Sequence, residues 1–134
     1  LAATFTGLAG ILDEHVDTYS RGNRQKLALV AALLHDPRLL VIDEPIVGLD
    51  PENAIRTREV LARFAAGGGA VLVCTHTLSF AEAVCGRIGL LREGRLVVEG
   101  DLGSLRRQAA ATPGPGAGDG HSLEDLYLHF AARR

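Results

Sequence analysis

The sequence predicts an α/β domain organised on a parallel sheet, and three observations carry that expectation. Between residues 20 and 74 a helical stretch, a short apolar run, a second helical stretch and a second apolar run follow one another, the alternation that builds parallel sheets. The apolar runs, LLVI at 39–42 and AVLVC at 70–74, are continuous rather than alternating, as in strands covered on both faces. Each run delivers polar residues at its C-terminal end, where such sheets place their ligands.

Residues 20–36 read as a helix, with Leu27, Val30, Ala31 and Leu34 on one face, Ser20 placed to cap it and Pro37 to stop it. The first strand, 39–42, closes on Asp43-Glu44-Pro45. A loop through Gly48-Leu49-Asp50 enters a second helix, Asp50 being suited to cap it and Pro51 to its first position. Glu52, Arg56, Glu59 and Arg63 then form a charged stripe at spacings of four, three and four, opposite Val60, Leu61, Phe64 and Ala65. Gly67-Gly68-Gly69 end that helix, and the second strand, 70–74, delivers Thr75-His76-Thr77.

A short helix is expected through Ala83, followed by runs 87–92 and 95–99 flanking Glu93-Gly94, a two-residue turn that makes this pair an antiparallel hairpin. Residues 101–109 read as helix, and TPGPGAGDG at 112–120 as linker by composition. Ser122 opens a last helix, with Asp125 in capping-box position and Leu123, Leu126, Tyr127 and Phe130 on one face, expected to dock back on the body. The plan is therefore a body over 1–111, a linker over 112–121 and a C-terminal helix over 122–134, with no internal repeat.

With 134 residues, 47% of them hydrophobic, the chain is long enough to bury one core without disulfides or structural metal. A formal net charge of -2 gives no basic field of the kind that draws nucleic acid or an anionic membrane, so no nucleic-acid partner is expected. Cys74 and Cys85, eleven positions apart, show neither a zinc nor a disulfide pattern and read as two small buried residues in a reducing compartment. The uncharged first twelve residues lack a basic flank, and the long uncharged stretch 64–81 contains three consecutive glycines and His76, so neither a signal peptide nor a membrane span is expected. The chain starts at Leu1 and contains no Met, which reads as part of a longer protein.

The polar strand ends are the candidates for chemistry. An Asp such as Asp43 can hold a hydrated Mg²⁺ while a neighbouring Glu, Glu44, polarises a water for attack on phosphorus. Taken alone, an apolar run followed by Asp-Glu more often merely caps a loop. His76 could hydrogen-bond a phosphate oxygen or orient that water, whereas His15, His35, His121 and His129 lack metal spacing and read as surface or structural residues. Ser20-Arg21-Gly22-Asn23 opens a helix, where free amides and the helix dipole favour an anion and Gly22 permits close approach. An ordinary serine cap would explain that segment in isolation. The order of these four signals is what gives them weight.

In that order the chain resembles the C-terminal half or more of an ATP-binding cassette (ABC) ATPase domain of the bacterial exporter type. Tyr19-Ser20-Arg21-Gly22-Asn23-Arg24-Gln25-Lys26 resembles the signature sequence, residues 39–44 the Walker B strand with its glutamate, Gly48-Leu49-Asp50 the D-loop, and Thr75-His76 the switch-histidine loop. The hairpin IGLLREGRLVVEG and the terminal SLEDLYLHF are also similar, so the likeness covers about residues 8–109 and the last helix.

The resemblance implies a P-loop NTPase-like ABC ATPase fold, in part, with ATP and Mg²⁺ as cofactors. It implies Asp43 for Mg²⁺, Glu44 as general base and His76 at the γ-phosphate. Ser20, Arg21, Gly22 and Asn23 would contact ATP held by a second such domain, and Asp50 would communicate across that dimer. The partners implied are a second ABC ATPase domain and transmembrane permease subunits, with the protein on the cytoplasmic face of the cell membrane. Arg21, Asn23 and Ile46 depart from the commonest pattern. More consequentially, no GxxxxGK[ST] phosphate loop occurs, and the sole lysine, Lys26, lies in the signature helix. The chain alone is therefore expected neither to hold ATP tightly nor to hydrolyse it. Two other readings are a soluble ABC ATPase acting on DNA or the ribosome, and a non-catalytic half-cassette that docks on a complete partner.

Overall fold

The computed structural model describes residues 2–111 and 122–131, so the expected linker at 112–121 lies outside the described residues. The chain divides into two compact units, Leu1–His76 and Thr77–Arg134, where the composition had suggested one core.

In the first unit, helix α1 (Arg21–Leu33) starts where Ser20 Oγ accepts the Asn23 amide at 3.2 Å. It ends earlier than the periodicity suggested, because Leu34 closes a tighter turn onto Ala31 and Asp36 turns into the left-handed region at φ 47° ahead of Pro37. Its buried face is Lys26, Leu29 and Val30, and Leu34, expected on that face, lies past the helix end and is exposed. Lys26 is buried because its Nζ donates to the Thr6 carbonyl at 2.7 Å. Phe5, Leu8 and Tyr19 are buried as well, and the Tyr19 hydroxyl donates to the Ile11 carbonyl.

Strands β1 (Leu39–Asp43) and β2 (Ala70–Cys74) pair in parallel, Asp43 beside Cys74. The expectation that both faces are covered fails: Leu39, Val41 and Leu72 are 57%, 61% and 55% exposed, and Cys74 is exposed too. Leu40 is buried, Val71 and Val73 are half-buried, and no described element covers the alternate residues. Helix α2 (Pro51–Ala66) connects the strands with Pro51 at its first position. Asn53, Thr57, Val60 and Leu61 make its buried stripe, with the four charged residues outside and Ala65, expected inside, exposed.

The second unit comprises α3 (Leu78–Val84), β3 (Ile88–Arg92), β4 (Arg95–Gly100), α4 (Leu102–Ala110) and α5 (Leu123–Ala131). Glu93 and Gly94 both have positive φ, 50° and 74°, which matches the right-handed twist of the antiparallel β3–β4 hairpin. Ile88, Leu90 and Val98 from the hairpin meet Leu105 and Ala109 from α4 and Leu123, Leu126 and Phe130 from α5 in one core. A reciprocal capping box opens α5: the Ser122 amide donates to Asp125 Oδ2 at 3.0 Å and the Asp125 amide to Ser122 Oγ at 3.2 Å. The helix is rotated slightly from the expected face, burying His129 and leaving Tyr127 exposed. Cys85 is half-buried, and burial pushes its thiol up. Among the described residues no helix is long and apolar enough to cross a membrane.

Candidate functional site

The parallel register brings the two polar strand ends side by side. The Glu44 amide donates to the Cys74 carbonyl at 2.8 Å, carrying the ladder one residue past β1. There the chain turns sharply, since Glu44 adopts φ 48°, a region that non-glycine residues seldom occupy. The turn delivers the Glu44 carboxylate to the end of β2. Its Oε2 accepts the Thr75 hydroxyl at 2.9 Å, and Oε1 accepts the His76 amide at 2.7 Å and faces His76 Nδ1 at 2.6 Å.

Burial pushes the Glu44 carboxyl up, but the hydrogen bonds from the His76 amide, the His76 ring and the Thr75 hydroxyl together hold it below the usual glutamate range. The group is thus an oriented carboxylate, ionised at neutral pH. The His76 side chain is 79% exposed and that of Glu44 28%, so the pair opens to solvent.

Asp43 is exposed at the same strand end. No group of three or more His, Cys, Asp or Glu side chains suited to a metal occurs among the described residues. A hydrated Mg²⁺ keeps several waters and needs only one or two carboxylates together with substrate phosphates. Asp43 can supply such a carboxylate.

Ser20, Arg21, Gly22 and Asn23 form the N-terminal turn of α1. This turn packs on the loop before α2 so closely that a Cβ at Gly22 would sit 2.6 Å from the Gly48 carbonyl oxygen. Gly48 itself has φ 82°, and a Cβ there would meet the Arg21 side chain. Asp50 caps α2: Oδ1 accepts the Asn53 amide at 2.9 Å and Oδ2 the Asn53 side-chain amide at 2.7 Å. These two bonds hold its carboxyl below the usual aspartate range.

All the candidate residues, Ser20 to Asn23, Asp43, Glu44, Asp50 and His76, therefore lie in the first unit. Glu44 and His76 are in direct contact, and Gly22 is against the Asp50 loop. The sequence reading gave no such role to four contributors, Gln25, Thr6, Lys26 and Asn53. Gln25 Nε2 donates to the Glu44 carbonyl at 3.2 Å, and Thr6 is held at its carbonyl by Lys26 and at its amide by Asn53 Oδ1 at 3.1 Å. A signal existed for Asn53, three residues after a capping aspartate, and for Lys26, the only lysine.

Comparison with known proteins agrees with the expected fold and family. Residues 7–82 match the family model described as AAA domain, putative AbiEii toxin, Type IV TA system. The chain is 44% identical over 92 residues to an uncharacterized ABC transporter ATP-binding protein, YhcH, of Bacillus subtilis, an alignment covering 68% of this chain and 30% of the relative. Among solved structures, an ATP-binding subunit of an ABC transporter superposes with a TM-score of 0.76 at 36% identity, covering 86% of this chain and 45% of that one. The dimeric post-hydrolysis state of the ATP-binding cassette MJ0796, bound to ADP and Pi, superposes at 0.60 with 26% identity, covering 65% and 38%. The chain thus spans about a third of its curated relative's length and less than half of either solved chain.

Proposed function

Because the chain belongs to the family of ABC transporter ATP-binding proteins, we propose that it supplies the hydrolytic half of an ATPase domain that powers a bacterial transporter, of the exporter type. The observation that carries this reading is the Glu44 carboxylate, ionised, oriented by Thr75 and His76, and open to solvent at the strand ends.

A carboxylate so held accepts a proton from a water poised beside it. The neighbouring His76 ring fixes the carboxylate's direction through Nδ1 and turns its other nitrogen toward the reacting phosphate. Asp43 would hold Mg²⁺, which when bound would neutralise charge on the phosphates. Ser20, Arg21, Gly22 and Asn23 offer helix-terminal amides and a cation to ATP carried by a second domain, and Asp50 lies where the two domains would meet. The partners are that second domain and membrane permease subunits, which places the working assembly on the cytoplasmic face of the membrane. The relative solved as a dimer with ADP and Pi supports the pairing. Since no GxxxxGK[ST] occurs in the sequence, this reading requires a phosphate loop from beyond it.

The test is a chimera in which this chain replaces the aligned 92-residue segment of the Bacillus subtilis relative. The chimera should hydrolyse ATP, and Glu44→Gln should lower turnover by about 100-fold or more while ATP binding persists. Undiminished hydrolysis in that variant removes Glu44 from the base role.

A further inference from the structure

Three non-glycine residues among those described have positive φ: Asp36, Glu44 and Glu93. Asp36 lies in the connection after α1, and Glu93 is in the hairpin turn. Glu44 is different, because it ends a strand, precedes Pro45 and carries the site's central carboxylate. A backbone of this kind persists only where its surroundings over-determine it.

The bonds that do so are few. The Glu44 amide is fixed by the Cys74 carbonyl on β2, and its own carbonyl accepts the Val47 amide at 3.3 Å within the turn, both backbone contacts. The remaining backbone bond comes from a side chain: Gln25 Nε2, half-buried on α1, donates to the same carbonyl at 3.2 Å. Gln25 lies two residues beyond the turn formed by Ser20 to Asn23.

We propose that Gln25 is a positioning residue, which by donating to the Glu44 carbonyl holds the chain in the left-handed turn that aims the Glu44 carboxylate at His76. It thereby ties the orientation of that carboxylate to the helix whose first turn carries Ser20, Arg21, Gly22 and Asn23. The role of Glu44 as base rests on the function proposed above, whereas the bond and its effect on the turn do not.

The experiment is NMR spectroscopy of the labelled full chain with two variants. Gln25→Met keeps the length and removes the donor, and Gln25→Glu places an acceptor where the donor stood. The readouts are the one-bond Cα–Hα coupling and Cα shift of Glu44, which report the sign of φ, and the His76 amide proton, which reports its bond to Oε1. The Asn53 amide, bonded to Asp50 in the same unit, serves as control. In both variants the Glu44 signature should move toward ordinary strand or helix values and the His76 amide upfield, with Asn53 unmoved. Unchanged Glu44 and His76 resonances overturn the proposal, and so does a shift of Asn53 along with them, which would mark a general loss of packing. Neither result depends on ATP hydrolysis, so a chimera that keeps full turnover as Glu44→Gln would refute the base role and leave this bond standing.

Discussion

A methyl group added at Gly22 would lie 2.6 Å from the Gly48 carbonyl oxygen, 3.6 Å from its carbon and 3.7 Å from Leu49 Cδ2. Comfortable carbon–oxygen contacts begin at about 3.3 Å, so α1 and the Gly48 loop must part by roughly 0.7 Å. Neither side yields easily, because the obstacle is backbone: Gly48 stands at φ 82° in a turn closed by the Leu49 amide on the Ile46 carbonyl at 3.1 Å. Overpacking of this kind costs about 1–3 kcal/mol. Alanine's better helix propensity returns at most about 1 kcal/mol, and less in a first turn. Gly22→Ala should therefore destabilise the first unit by about 1–2 kcal/mol, a drop of roughly 4–16 °C in the midpoint of its thermal transition. The comparison variant is Gly10→Ala, where a new methyl meets nothing within 4 Å, and which should be neutral or stabilising by up to about 1 kcal/mol. Calorimetry of the two variants beside the parent chain decides the matter. A Gly22→Ala chain that melts with or above the parent would refute the close approach of α1 to this loop.

Leu105 is fully buried in the core of the second unit, so Leu105→Ala should cost about 2–5 kcal/mol in chemical denaturation. The Asp101 carboxyl is held below the usual aspartate range, chiefly by the Ser104 amide, with Oδ1 at 2.8 Å from that nitrogen. Being harder to protonate in the folded chain than in the unfolded one, it contributes stability that is complete above about pH 4 and is lost as pH falls through the lower folded value. Asp50 and Glu44 act in the same direction. Asp101→Asn, which can still cap α4 but does not titrate, should flatten part of the acid limb in denaturant midpoints taken from pH 6 to 3, and an unaltered limb would contradict this.

Much of this architecture is written in local chemistry. Ser20, Asp50, Asp101 and Ser122 each cap the helix they precede, Glu93-Gly94 turns the hairpin, and the two apolar runs pair in parallel with Glu44 and His76 at their shared end. What local pattern cannot carry is the presence of a neighbour. LLVI and AVLVC have the composition of strands covered on both faces, yet Leu39, Val41 and Leu72 stand exposed, since composition states what a strand tolerates and not what lies against it. Phe5 and Leu8 escaped notice because they sit among short 3₁₀ turns, too brief to show a period. The bond from Gln25 joins a side chain to a backbone carbonyl nineteen positions away and leaves no trace in spacing. The order of motifs, by contrast, is a property of the whole sequence, and it identified the family that the comparisons establish.

Thr6 has a mechanical consequence. Lys26 grips its carbonyl and Asn53 its amide, and the Asn53 side chain passes on to the Asp50 carboxylate at 2.7 Å. One residue of the N-terminal segment thus works as a rivet between two helices, fastening the body of α1 to the first turn of α2. A torque applied at the Ser20 end of α1 should pass through this fastening to the loop at Asp50, so that the first turn of α1 and the cap of α2 turn as one piece.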